Sequence, residues 1–304
     1  MTKRRTCHSC LRRNDKIIAK KERGQWLIDT DSLLEIGNED GGVAMKLAIF
    51  LIIMFLLCSG SLYALDTKGL VLYLPLDEGS GKVAKDVSGN RNNGELKGGA
   101  EWVDGKFGKA VHLKVSGDVV EVPHSDSLDI RKQITLEIWA KVDAFVGDQH
   151  CAFISKATTD QTGSYILHIS NDNGFYAALV IFIGVQGPWP PPAIGKTTIG
   201  EWHHFAGSYD GAELSIYIDG QLMAKANRST VGDIDSSKDP VAIGRDNRDP
   251  YKTTRTMDCI VDEARIWNRV LSENEIKEAM KGVSLSVSPK GLLSNTWGQI
   301  KSGF

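Results

Sequence analysis

The stretch Ile134-Thr135-Leu136-Glu137-Ile138-Trp139-Ala140-Lys141-Val142 constrains this chain more than any other. Ile134, Leu136, Ile138, Ala140 and Val142 recur at every second position, which places them on one face of an extended strand. Shorter β runs stand at residues 70–74, 110–115, 119–122, 165–169, 176–183, 202–209, 214–218 and 260–267. Asp219-Gly220 between two such runs is a two-residue hairpin signal, because glycine accepts the positive φ of that turn. One helix is predicted: Ser272-Glu273-Asn274-Glu275 forms a capping box, Ile276, Ala279 and Met280 share a face, and Gly282 stops it. Many short strands between turn residues describe a β-sandwich. Residues 86–105, rich in Gly, Asn and Asp, read as a surface loop. No internal repeat is visible, which excludes solenoids and propellers.

Composition changes at about residue 64. The first 23 residues hold nine Lys/Arg against two acids, and an unbroken apolar run of twelve then extends from Leu47 to Cys58. A membrane helix needs roughly 20 apolar residues and a secretory core about 7 to 15. With Met45-Lys46 ahead of the run and Ser59-Gly60-Ser61-Leu62-Tyr63-Ala64 behind it, residues 45–64 read as a signal peptide, cut after Ala64 or after Ser61. Residues 1–44 read as a non-native or disordered leader before a misassigned start; the alternative is a cytoplasmic extension with the apolar run as signal anchor. Cys7-His8-Ser9-Cys10 within it is half of a zinc site with nothing to close it. Residues 65–304 carry 26 basic and 31 acidic residues, a net of 26 − 31 = −5, and divide into a domain at 65–284 and a tail at 285–304. A mildly acidic exported chain is a poor nucleic-acid binder. It has no membrane span once the signal is removed, and it belongs outside the cell or in the cell envelope. Cys151 and Cys259, the two cysteines left after export, are expected to form a disulfide.

Seven phrases follow in order: YLPLDEGSG, DVSGNRNNG, GKAVHL leading to GDVVEVPHSDSLDI, ITLEIWAKV, GEWHHFAGSYDG, LSIYIDGQL and VDEARIWNRVLSENEI. Together they resemble the LamG-like jelly-roll domain of many bacterial exported proteins, in the concanavalin A-like lectin/glucanase superfamily, over residues 68–281. The resemblance implies an all-β, two-sheet antiparallel jelly-roll sandwich with one short C-terminal helix, its first and last strands adjoining in one sheet. It also implies a structural calcium near that junction, held by an Asp at the start of the last strand. Asp262 takes this position, and Asp77 and Asp118 are the acids expected near it; the alternative is that all three cap turns. Trp139, Trp202 and Trp267 read as inter-sheet core. His203 and His204 are adjacent in a strand, face opposite ways and read as structural.

Retaining glucanases place two carboxyls about 5 Å apart on one face. This chain has no Glu-x-Asp-x-Glu run, Glu137 stands alone on its strand, and there is no GxSxG elbow. A non-catalytic binding module is therefore expected. Two loops are its candidate ligand surface. In one, Trp189 is held stiffly among prolines. In the other, Arg245, Asp246 and Asn247 offer planar hydrogen-bonding groups beside Tyr251. A glycan is the expected ligand; the alternatives are a structural or adhesive surface protein that binds an extracellular protein and, third, a glycoside hydrolase.

Overall fold

The computed structural model describes residues 65–282 apart from 116, 160–162, 173, 185–192, 228–231 and 250, together with 10–13, 16–22 and 25–28. The signal segment, Trp189 and the tail lie outside the described residues. The chain forms two units, Met1–Tyr63 and Ala64–Phe304. In the first, β1 (Cys10–Arg13), β2 (Lys16–Glu22) and β3 (Gln25–Ile28) pair antiparallel in that order. A leader without structure is expected there; Ile17-Ile18 and Trp26-Leu27-Ile28 supply the β-branched and aromatic residues that favour extended chain.

The second unit is a sandwich of two eight-stranded antiparallel sheets. The first sheet has the order β17 (Gln221–Asn227), β16 (Glu213–Ile218), β15 (Trp202–Tyr209), β10 (Ile134–Gly147), β19 (Arg255–Trp267), β8 (Lys109–Leu113) and β7 (Glu101–Asp104), with β4 (Leu70–Leu74) also on β19. The second has the order β14 (Ile194–Lys196), β13 (Tyr176–Ile181), β12 (Gly163–Ser170), β11 (His150–Ala157), β18 (Val241–Ile243), β9 (Val119–Val122), β6 (Gly94–Lys97) and β5 (Val83–Ala84). Leu136, Ile138, Ala140 and Val142 of β10 share one core with Phe153, Tyr165, Leu167 and Leu179 of the facing sheet. First and last strands adjoin, from Ala264↔Leu74 to Trp267↔Leu70.

The segment expected as a loop at 86–105 contributes β6 and β7. Gly94 reads as a turn signal, but a Cβ there would lie 2.7 Å from Val120 Cγ1, so the glycine serves close strand packing. The expected hairpin is formed, with φ of 51° at Asp219 and 72° at Gly220.

Helix α1 (Glu273–Ala279) covers the outer face of the first sheet. Its capping box is closed both ways: Glu275 N donates to Ser272 Oγ at 3.3 Å and Ser272 N to Glu275 Oε2 at 2.8 Å. Ile276 and Ala279 pack on Leu70, Tyr73, Ala206, Tyr217 and Trp267. Trp267 and Trp139 therefore lie between helix and sheet and not between the sheets. Leu136, Ile138 and Ala140 hold the inward positions of β10, so Trp139 faces out and its Nε1 donates to the Met280 carbonyl at 2.9 Å. Trp202, at the start of its strand, is half-buried.

Charged groups are buried in the same layer. Trp267 Nε1 donates to Glu137 Oε1 at 3.0 Å, and Arg265 pairs with Glu263 and donates to the Ala279 carbonyl at 3.2 Å. Burial pushes the Glu137 carboxyl up to about 7. It pushes the His204 imidazole, edge-on to Trp139, down to about 3. His204 is thus neutral at pH 7, and its 3.6 Å approach to Glu137 Oε2 is not an ion pair. Because its folded value lies below the ordinary 6.5, the stability that His204 contributes is complete above pH 6.5 and is lost as pH falls toward about 3. His204→Phe keeps an aromatic edge on Trp139. Its melting temperature, measured by calorimetry, should fall less than that of the wild type between about pH 6.5 and about pH 4; equal slopes would assign the acid loss to other groups.

Candidate functional site

The loop at 245–251 is tied to itself. Asp246 is wholly buried and accepts Arg248 Nε at 2.9 Å and Nη2 at 2.7 Å, with Arg255 Nη1 at 3.4 Å. Burial pushes its carboxyl up, but the hydrogen bonds and charge of Arg248, aided by Arg255, outweigh this and hold it below the usual range. The Arg255 guanidinium stacks 3.5 Å from the Tyr251 ring centroid, and Arg245 Nη2 donates to Asn247 Oδ1 at 2.9 Å. Asp246 and Asn247, expected at the ligand, are buried members of this knot; Arg245 and Tyr251 keep partial exposure. Asp246→Asn would leave Arg248 and Arg255 without their shared counter-charge. It should cost about 3 kcal/mol in urea unfolding, while a change under about 0.5 kcal/mol would show the pair to be dispensable.

The three candidate metal acids do not converge. Asp118 organises a turn through Gly99 N at 2.6 Å, Lys114 N at 2.9 Å and Val115 N at 3.2 Å, at the far end of β7 and β8 from Asp262. Asp77 and Asp262 flank one turn: Asp77 Oδ1 accepts Lys109 N at 2.8 Å, and Asp262 Oδ2 accepts Phe107 N at 2.9 Å. Asp262 is fully buried, its Oδ1 has no hydrogen-bond partner, and burial, with repulsion from Glu263 and Asp77, pushes its carboxyl up to about 7. Among the described residues no group of three or more His, Cys, Asp or Glu is placed to hold a metal. Asp77 and Asp262 do supply hard oxygens of the kind calcium takes; Asp118 does not join them.

The expected Cys151–Cys259 bridge is absent. Both are free, buried thiols, and Cys151 Sγ is turned to the Arg255 carbonyl at 3.2 Å. Glu137, the one carboxylate in the alternating run 134–142, is fully buried beneath α1. The helix acids are engaged too, Glu273 with Lys277, Glu278 with Lys281 and Glu275 with Arg269.

A cavity of about 440 Å³ opens between the edge strands of the two sheets, lined by Lys196, Thr198, His203, Ile218, Asp219 and Met223, with Thr197 and Gln221. Its polar wall is a hydrogen-bond chain. Asp219 Oδ1 accepts the His204 backbone N–H at 2.9 Å, Asp219 Oδ2 meets His203 Nδ1 at 2.8 Å, and His203 Nε2 meets Thr198 Oγ1 at 2.9 Å. Ile218 and Met223 make the apolar side. The opposed facing of His203 and His204 holds, yet His203 lines this cavity where a structural role is expected. Its signal in the sequence is the hairpin: Phe205 pairs with Ile218, so the turn acid reaches back two residues to His203.

Residues 114–277 match the Laminin G 3 family, described as the concanavalin A-like lectin/glucanases superfamily, which spans more than half of the chain. The chain belongs to this superfamily. C-reactive proteins 3.3 and 1.1 of Limulus polyphemus are 28% and 27% identical to this concanavalin A-like chain over 157 residues, each match covering 49% of it and 62% of the relative. The chain thus spans less than two thirds of their length. Domain 4 of AbnA, a GH43 extracellular arabinanase from Geobacillus stearothermophilus solved with arabinotriose, superposes with a TM-score of 0.51 at 19% identity, over 69% of this chain and 97% of that one. The binding domain of botulinum neurotoxin DC, solved with rat synaptotagmin II, gives 0.54 at 12% identity, over 73% and 52%. At such identities the likeness is one of fold. Among the described residues no helix is long and apolar enough to cross a membrane.

Proposed function

We propose that this concanavalin A-like chain is an exported, non-catalytic module that binds a glycan in the cavity beside Thr198, His203 and Asp219, with Trp189 and, in the separate loop after β18, the partly exposed Arg245 and Tyr251 as further candidate contacts. The cavity carries the reading. Its lining combines an imidazole, hydroxyls, an amide and an ammonium with the apolar Ile218 and Met223, the groups a sugar needs for its hydroxyls and its C–H face. The arabinotriose complex of AbnA domain 4, nearly all of which this fold covers, supports the same reading. A calcium ion would be held by Asp262 and Asp77 with nearby carbonyls, tying the last strand to the turn between β7 and β8.

A protein ligand is the second reading. Met223, on the cavity wall, is 44% exposed and offers a protein partner an apolar contact.

Titration of the full chain with neutral and acidic oligosaccharides, arabinotriose included, tests the proposal. Binding without release of reducing ends is expected, and Trp189→Ala should weaken it about two- to tenfold with little change in melting temperature. Released reducing sugar, or a protein partner with no oligosaccharide bound, would overturn it. For calcium, the wild-type melting temperature should rise on adding the ion, and Asp262→Asn should abolish the rise; an equal rise in both would remove Asp262 from the site.

A further inference from the structure

The chain Asp219–His203–Thr198 has a direction, and the direction sets what the cavity can recognise. An ionised carboxylate only accepts hydrogen bonds. With Asp219 Oδ1 taken by the His204 N–H at 2.9 Å, Oδ2 at 2.8 Å requires the proton of His203 to be on Nδ1. In the neutral form of the imidazole Nε2 then carries a lone pair, and Thr198 Oγ1, 2.9 Å away, donates to it. The hydroxyl proton of Thr198 is thereby committed inward, and its oxygen faces the cavity with lone pairs alone. Lys196, an ammonium that only donates, lines the same cavity with Gln221, whose amide can do either.

We infer that Asp219, through His203, makes Thr198 an acceptor and so selects neutral sugar hydroxyls over carboxylated sugars; this rests on the glycan reading of the same cavity. A sugar hydroxyl donates to Thr198 Oγ1, and its neighbour on the ring accepts from Lys196 or Gln221. A carboxylate at the first position would set its lone pairs against those of Thr198 and its charge beside that of Asp219. Asp219 is a positioning residue in this scheme, since it acts on the ligand through His203 and Thr198.

Asp219→Asn separates this role from a structural one. Asn-Gly is a favoured pair for this turn and Asn tolerates the φ of 51° at position 219, so the hairpin is kept. The Asn oxygen can still take the His204 N–H, but its NH2 then faces His203 Nδ1. The imidazole proton moves to Nε2, it donates to Thr198, and the Thr198 proton is released toward the cavity.

The test uses the full chain at about pH 8. Nitrogen NMR of His203 should show the proton on Nδ1 in the wild type and on Nε2 in Asp219→Asn. Titration with arabinotriose and with an oligogalacturonate should show the neutral sugar preferred by the wild type. It should bind about three- to tenfold more weakly to Thr198→Val and to Asp219→Asn, as for one lost neutral hydrogen bond; the relative affinity for the oligogalacturonate should rise in Asp219→Asn. Wild-type binding of arabinotriose with the same preference in a folded Asp219→Asn, or a proton on Nε2 in the wild type, overturns the inference and leaves the glycan reading standing. If no oligosaccharide binds the wild type, both fall.

Discussion

Strand β19 must satisfy two partners on one edge. It pairs with β10 along most of its length, while its other edge takes β8 at residues 259–261 and β4 at residues 264–267. The junction between those partners is a bulge at Asp262-Glu263, where the register against β10 shifts and Glu263 adopts a φ of +55°. Positive φ in a non-glycine residue costs about 1–3 kcal/mol and persists where its surroundings over-determine it. The extra residue lets both Asp262 and Glu263 face outward, which strict alternation forbids. Glu263 then meets Tyr73 Oη at 2.9 Å and Arg265, and Arg265 reaches the carbonyl end of α1. Asp262 meets the turn between β7 and β8. The helix latch and the acid pair both descend from this one irregularity.

Burial then decides what each acid does. Glu137, beneath α1, and Asp262, beside the turn, have carboxyls pushed up to about 7, because a buried charge loses its hydration. Asp246 is as deeply buried but has two guanidiniums, stays ionised and clamps a loop. Asp219 keeps a solvent-facing carboxylate within reach of a backbone N–H and an imidazole, so it can orient its neighbours without the desolvation cost of a buried pair. Carboxyl groups thus serve as core groups held toward the neutral form, as a structural clamp and, in the proposed scheme, as a director of hydrogen bonds.

The chain is a concanavalin A-like sandwich, and on a rigid scaffold loops and edges are the places where binding groups can vary without disturbing the core. Here the edge between β14 and β17 provides the cavity, and the outer face of the first sheet, closed by α1, provides rigidity.

The sequence by itself determined the strands whose inward residues alternate, such as β10 and β12, the Asp219-Gly220 hairpin and the capped helix, because each depends on neighbours a few residues away. It left β11 unread, since the register shift between Ala152 and Ile154 breaks the period there, and it hid β6 behind a glycine needed for packing. The tertiary structure alone decided that Trp139 and Trp267 lie beneath a helix, that Asp246 is consumed by Arg248, that Asp118 stands apart from Asp262, and that Thr198, His203 and Asp219 line a cavity. Those outcomes depend on which face of a sheet is covered and which strands meet at its edges. Period-two patterning separates the two faces of a strand, but the burial of either is set by chain segments far away in sequence.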